Sequence, residues 1–155
     1  MDIEKAYDTV DWGFLKEILQ GFGFHEVMIQ WIMICVTTTS FSISVNGNLH
    51  AYFRGKRGIR QGGPMSPYLF TLVMEVLTLM IRRRVHLSNN FQYHSKCAEQ
   101  KIINLCFADD LFLFSSAHMD SIRVISGALE EFKNCFGLVL SMAKSMTFFV
   151  TSRML

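Results

Sequence analysis

Residues 102–114 read Ile-Ile-Asn-Leu-Cys-Phe-Ala-Asp-Asp-Leu-Phe-Leu-Phe, an almost wholly apolar run broken by two adjacent carboxylates, Asp109 and Asp110. The flanks, 102–107 and 111–114, have the length and composition of short, largely buried strands, which puts both aspartates at the tight turn of a β-hairpin. A hairpin tip presents both acids at one edge of a sheet. Adjacent carboxylates repel, and hard oxygen donors at this density are what a divalent cation such as Mg²⁺ requires. Taken alone, Asp-Asp serves equally well as a polar hairpin turn, so the tetrad Phe107-Ala108-Asp109-Asp110 draws its meaning from the rest of the chain.

At 155 residues the chain fits one compact domain and can bury about two-thirds of its unfolded surface. Half of it is apolar or aromatic, with 14 Phe and 10 Met, and only 18% is charged, against about a quarter in soluble domains. That balance suggests surfaces that expect neighbours. The net charge of +2 is too small to argue for nucleic acid by itself. Glu75 and Gln30 interrupt the two longest apolar segments, so neither reaches the roughly 18 residues of a membrane span. The start, Met1-Asp2-Ile3-Glu4-Lys5, lacks the pattern of a signal peptide. Cys35, Cys97, Cys106 and Cys135 lack zinc-ligand spacing, and reduced thiols in an intracellular, cytoplasmic or nuclear protein that is not secreted are the default.

Along the chain, residues 1–4 look like a strand end, and Asp11 can cap a helix from Trp12 to Gln20 that Gly21 and Gly23 stop. A second apolar helix spans Glu26 to Val36. Phe41 to Val45, Asn46-Gly47 and Leu49 to Phe53 form a hairpin signal. The Gly- and Pro-containing loop 58–67 leads into a helix from Tyr68 to Arg84. At its end, Arg82-Arg83-Arg84 can touch phosphates, but solvated charges that complement the helix C-terminus explain the run as well. Residues 88–100 are polar and turn-like. A helix from Asp120 to Cys135 carries Ile122, Ile125, Leu129, Phe132 and Phe136 on one apolar face, with Gly137 closing it. Residues 137–145 read as a turn into a final strand over 147–150.

Four segments in order, Asp2-Ile3-Glu4-Lys5-Ala6-Tyr7-Asp8-Thr9-Val10, Arg57 to Phe70 around Arg60-Gln61-Gly62-Gly63-Pro64, Phe107 to Asp110, and Gly137 to Ser145 with Lys144, resemble the motifs of the reverse-transcriptase palm. The likeness is to the plant-type non-LTR (LINE-like) retrotransposon enzymes and covers nearly the whole chain. Two positions depart from the pattern: Gly63 stands where many plant relatives have Asp, and Ser141 near where Asn is usual.

The resemblance implies an α+β fold, a small antiparallel sheet that carries the carboxylates and is covered by helices, truncated relative to a whole enzyme. It implies RNA-directed DNA polymerase activity, with an RNA template, a DNA primer and dNTPs as partners. Two divalent ions, Mg²⁺ or possible Mn²⁺ in its place, would activate the primer 3′-hydroxyl and neutralise the leaving pyrophosphate. Asp2, Asp109 and Asp110 would be their ligands, with the Ile3 carbonyl as an extra oxygen. Tyr7 falls where RNA polymerases of viruses carry an Asp for the substrate 2′-hydroxyl, so its ring would select deoxynucleotides. Arg60, Gln61 and Gly62 would lie along the incoming nucleotide and template. Lys144 would protonate the departing pyrophosphate.

Because the chain opens one residue before Asp2 and stops after the fourth motif, the expectation is a partial domain over residues 1–155, a palm without the N-terminal fingers and the thumb. A catalytically silent retrotransposon remnant is then the alternative to an active polymerase. An RNA-dependent RNA polymerase palm is disfavoured by Tyr7 and by Ala108, where Gly would be usual.

Overall fold

The computed structural model describes residues 2–107, 110–136, 139–141 and 144–148. Its elements are β1 (Asp2–Glu4), α1 (Trp12–Gly21), α2 (Glu26–Thr37), β2 (Ser40–Val45), β3 (Asn48–Arg54), α3 (Ser66–Leu87), β4 (Asn104–Phe107), β5 (Asp110–Leu113), α4 (Met119–Phe136) and β6 (Val139–Ser141). This is an α+β architecture of small antiparallel sheets and helices. The chain divides into two compact units, Lys5–Val76 on the one hand and Met1–Glu4 with Leu77–Leu155 on the other, the division falling within α3.

In the unit Lys5–Val76, α1 starts where the Asp11 carboxylate accepts the Phe14 N–H at 2.9 Å. It ends where Gly23, at φ +78°, turns the chain so that Phe24 N–H reaches the Leu19 carbonyl. That is the left-handed exit glycine makes cheap. Leu15, Ile18 and Leu19 on α1 and Ile29, Ile32 and Val36 on α2 recur at three- and four-residue spacing and are all buried. Each such side chain contributes about 1.5–3 kcal/mol of burial free energy. β2 and β3 form a separate two-stranded sheet around Asn46 and Gly47, both at positive φ, as a tight hairpin turn requires. Both of its faces are exposed. α3 begins two residues before Tyr68, because Pro67 in a first turn gives up only an N–H that has no helical partner there.

In the second unit the strand order is β4-β5-β1-β6, antiparallel throughout. Here the structure corrects the sequence reading in four places. Asp110 is not in the turn: it is the first residue of β5 and pairs with Phe107. The hairpin is not largely buried. Leu111 and the preceding Ile103 are buried, but Leu105 is 55%, Phe107 80% and Phe112 52% exposed, so apolar composition marked an uncovered face as readily as a core. Among the described residues the last strand is Val139–Ser141, inside the stretch read as a turn; Ser145 to Phe148 contain no strand, and the rest of the strand expected over 147–150, Phe149 and Val150, lies outside the described residues.

The fourth correction concerns α4, which buries Ser121, Ile125, Ala128 and Phe132 while Ile122 is 40% exposed. A polar residue claims the inner face because its hydroxyl has a fixed partner. Ser121 Oγ accepts the Gln92 N–H at 2.9 Å and donates to the Gln92 carbonyl at 3.3 Å, tying the helix to the polar segment 88–101. Gly137, expected to close this helix, lies outside the described residues.

Candidate active site

Three short strands meet at the position of the first aspartate. β1 pairs with β5 in the register Asp2↔Asp110 and with β6 in the register Asp2↔Ser141, Ile3↔Leu140 and Glu4↔Val139. Residues 2 and 110, distant in sequence, therefore occupy directly opposed positions on neighbouring strands. Like charges directly opposite one another destabilise a sheet. Asp109, its neighbour, lies outside the described residues. Ile3 follows Asp2 in β1 with its side chain buried. Lys144 is exposed, three residues beyond Ser141, and the Ser145 hydroxyl donates to the Ser141 carbonyl at 2.6 Å, closing the chain back onto the end of β6.

The other predicted residues belong to the unit Lys5–Val76 and are held by backbone. After Lys5, at φ +47°, the segment 5–9 folds into a turn in which the Lys5 carbonyl accepts from Asp8 N–H and Thr9 N–H. The second motif is pinned to that turn: Gly58 N–H donates to Val10 carbonyl at 2.7 Å and Ile59 N–H to Tyr7 carbonyl at 2.8 Å. Trp12 Nε1–H adds a bond to the Gly58 carbonyl at 2.7 Å. Gly58, at φ +88°, packs so closely that a Cβ would sit 2.8 Å from the Asp8 carbonyl oxygen. The segment before Arg60 is thus bonded to the segment that carries Tyr7.

Beyond it, the Arg60 carbonyl accepts from Gly63 N–H at 3.1 Å and from the Ser66 hydroxyl, which shapes the loop that exposes Arg60, Gln61 and Gly62. Gly62, at φ +79°, has open space where a side chain would be. The Tyr7 ring is half-buried and stacks on Phe70 of α3, centroids 4.8 Å apart and planes 26° apart. Phe70 and Ser66 are supports the sequence reading did not single out, although both lie inside the motif; their spacing from Pro67 along a helix was the available signal.

Residues 1–154 match the family described as "Reverse transcriptase (RNA-dependent DNA polymerase)". The chain belongs to the reverse transcriptase family. Among curated relatives, it is 32% identical over 120 residues to the "Retrovirus-related Pol polyprotein from type-1 retrotransposable element R2" of Popillia japonica, covering 77% of this chain and 19% of that protein. It is 38% identical over 74 residues to the "Uncharacterized mitochondrial protein AtMg01250" of Arabidopsis thaliana, covering 43% of this chain and 54% of the relative. Apo telomerase from Candida tropicalis, truncated from its C-terminal domain, superposes with a TM-score of 0.62 at 17% identity, over 92% of this chain and 28% of the telomerase. The fold is thus a reverse-transcriptase fold, and the relatives make this reverse transcriptase one of the non-LTR retrotransposon kind. The chain spans about a fifth of the R2 polyprotein it matches.

Among the described residues no helix is long and apolar enough to cross a membrane. No group of three or more His, Cys, Asp or Glu able to hold a metal occurs among them either, Asp109 lying outside them. All four cysteines are free.

Proposed function

We propose that this chain carries the carboxylates and part of the nucleotide-binding surface with which a retrotransposon's reverse transcriptase extends a DNA primer on an RNA template. The observation that supports it is the register Asp2↔Asp110, which sets two carboxylate-bearing positions side by side in the interior of a four-stranded sheet. Oxygen donors alone, without thiolate or imidazole, fit Mg²⁺ or Mn²⁺. Asp2, Asp109 and Asp110 would hold two such ions, which when bound activate the 3′-hydroxyl and neutralise the leaving pyrophosphate.

The chain's own residues orient the substrate. Tyr7, backed by Phe70, presents a fixed ring to the sugar of the incoming nucleotide and excludes a 2′-hydroxyl by bulk, leaving it without a hydrogen-bond partner. Arg60 offers a guanidinium to a phosphate, and the Gln61-Gly62 backbone approaches the base pair where no side chain intrudes. Lys144 delivers a proton to the pyrophosphate oxygen that leaves. The protein acts where its template is found, in the cytoplasm or nucleus, and its fingers and thumb come from other parts of the longer polypeptide.

Template-directed primer extension by a longer retrotransposon protein containing this chain tests the reading. Asp110→Asn should abolish extension with RNA template bound as before; extension at the unaltered rate would overturn it.

A further inference from the structure

The Arg82-Arg83-Arg84 run does not behave as one solvated cluster. Arg84 turns to α4, where its Nε–H donates to Glu131 Oε2 at 2.8 Å. Gly127 leaves the space its guanidinium occupies, since a Cβ there would collide with Arg84 Nη1. Arg82 and Arg83 instead line a surface cavity of about 740 Å³, together with His86, Lys101 and the half-buried rings of Phe91 and Tyr93. No carboxylate lines it. Among the described residues Arg82, Arg83 and Lys101 take part in no ion pair; the nearest acid in sequence, Glu99, lies outside the lining and accepts from Gln100 Nε2. Phe91 and Tyr93 meet edge to face, centroids 5.0 Å apart and planes at 88°, so the edge of one ring touches a face of the other and the two are not stacked face on face.

We infer that this cavity binds single-stranded nucleic acid, Arg82, Arg83 and Lys101 taking successive phosphates and an aromatic face of the Phe91–Tyr93 pair stacking one unpaired base. Fixed guanidinium and ammonium groups beside sequence-tolerant ring faces are the combination that single strands exploit. An acidic peptide would satisfy the cations but leave the rings unused. A duplex would offer phosphates but no free base. The site lies on the α3 C-terminal half and the segment 88–103, and its lining includes none of the residues assigned above to the polymerase chemistry. It rests on the proposal that this chain handles nucleic acid, and not on the aspartates.

The test is fluorescence anisotropy of the full chain with a labelled oligo(U) RNA of about 12 nucleotides, within the site sizes typical of single-strand binders. Three neutralised phosphates give a slope of log affinity against log salt of about −2, or about 20-fold weaker binding between roughly 50 and 200 mM salt. The triple variant R82Q/R83Q/K101Q changes only exposed side chains, so it should keep the wild-type thermal melt while losing most of that slope and about 10-fold or more in affinity at low salt. Phe91→Leu keeps apolar bulk and should weaken binding about 5-fold or more with the slope unchanged. Asp110→Asn should bind as wild type.

Absence of binding, an unaltered slope in the triple variant, equal affinity for a duplex, or competition by polyglutamate as strong as by RNA would each overturn the inference. Failure of the polymerase reading looks different: primer extension indifferent to Asp110→Asn while RNA binding keeps the pattern above.

Discussion

Gly58→Ala is the sharpest perturbation of the contact that joins the first two motifs. Gly58 sits at φ +88°, and the new Cβ would lie 2.8 Å from Asp8 O and 3.0 Å from both Asp8 C and Cα. All three are backbone atoms, so no side chain can swing away. The left-handed conformation alone costs an L-residue about 1–2 kcal/mol, and forced overpacking adds about 1–3 kcal/mol. Relief by moving the loop would strain the bonds from Gly58 N–H to Val10, Ile59 N–H to Tyr7 and Trp12 Nε1–H to Gly58, each worth about 0.5–1.5 kcal/mol. The expected destabilisation is therefore about 2–5 kcal/mol.

Gly62→Ala is the matched control, because Gly62 has a similar φ of +79° and nothing within 4 Å of its would-be Cβ. It should cost the conformational part only, about 1–2 kcal/mol. Both tryptophans, Trp12 and Trp31, belong to the unit Lys5–Val76, so urea unfolding followed by tryptophan fluorescence reports on the right part of the chain. Equal midpoints for the two alanine variants would refute the close-approach argument, leaving Gly58 an ordinary loop residue.

Four further outcomes can be checked. Tyr7→Ala in a primer-extending protein that contains this chain should raise ribonucleotide over deoxynucleotide incorporation, and Phe70→Leu should raise it less, because Phe70 only backs the Tyr7 ring; an unchanged ratio in single-nucleotide extension argues against the gate. Gly127→Ala should gain about 0.5–1 kcal/mol of helix stability in an Arg84→Ala background and less, or nothing, with Arg84 present, where the methyl displaces the guanidinium; thermal melts of the four proteins of this cycle decide it. Breaking the Arg84–Glu131 pair itself should cost under about 1 kcal/mol, since its side chains are 41% and 40% exposed, as a double-mutant cycle in urea would reveal. Residues 1–155 on their own should give no measurable primer extension, and template-dependent product lost on Asp110→Asn would contradict that.

The sequence made the elements legible where local chemistry specifies them: Asp11 before Trp12, Asn46-Gly47 between alternating strands, Pro67 at a helix start. It located the carboxylates but not their geometry. Asp110 stands in β5 rather than in the turn, paired with Phe107 across the hairpin and with Asp2 more than a hundred residues away, and the second pairing is one that no local signal encodes. Burial was the least legible property, because Phe107 and Phe112 read as core and stand exposed, whereas Ser121, left out of the apolar face read for its helix, is buried with two hydrogen bonds to Gln92. The arginine run was legible as charge; only the placement of Glu131 and Gly127 separates the structural Arg84 from Arg82 and Arg83.

The exposed ring of Phe107 bears on the role proposed for Asp110. It is the cross-strand partner of Asp110 and is 80% open to solvent, so water reaches the β4–β5 pair beside Asp110. Two unit charges about 4 Å apart interact by about 1 kcal/mol in water and by about 4 kcal/mol at the effective dielectric of a covered site. Electrostatic stabilisation of a transferring phosphoryl group therefore depends on what lies over β4 and β5 as much as on the aspartates themselves. Leu105, Phe107 and Phe112 form an exposed apolar margin on these two strands. In the proposed reading, covering that margin would dry the site, which would tie the Phe-rich composition to the chemistry proposed for Asp110.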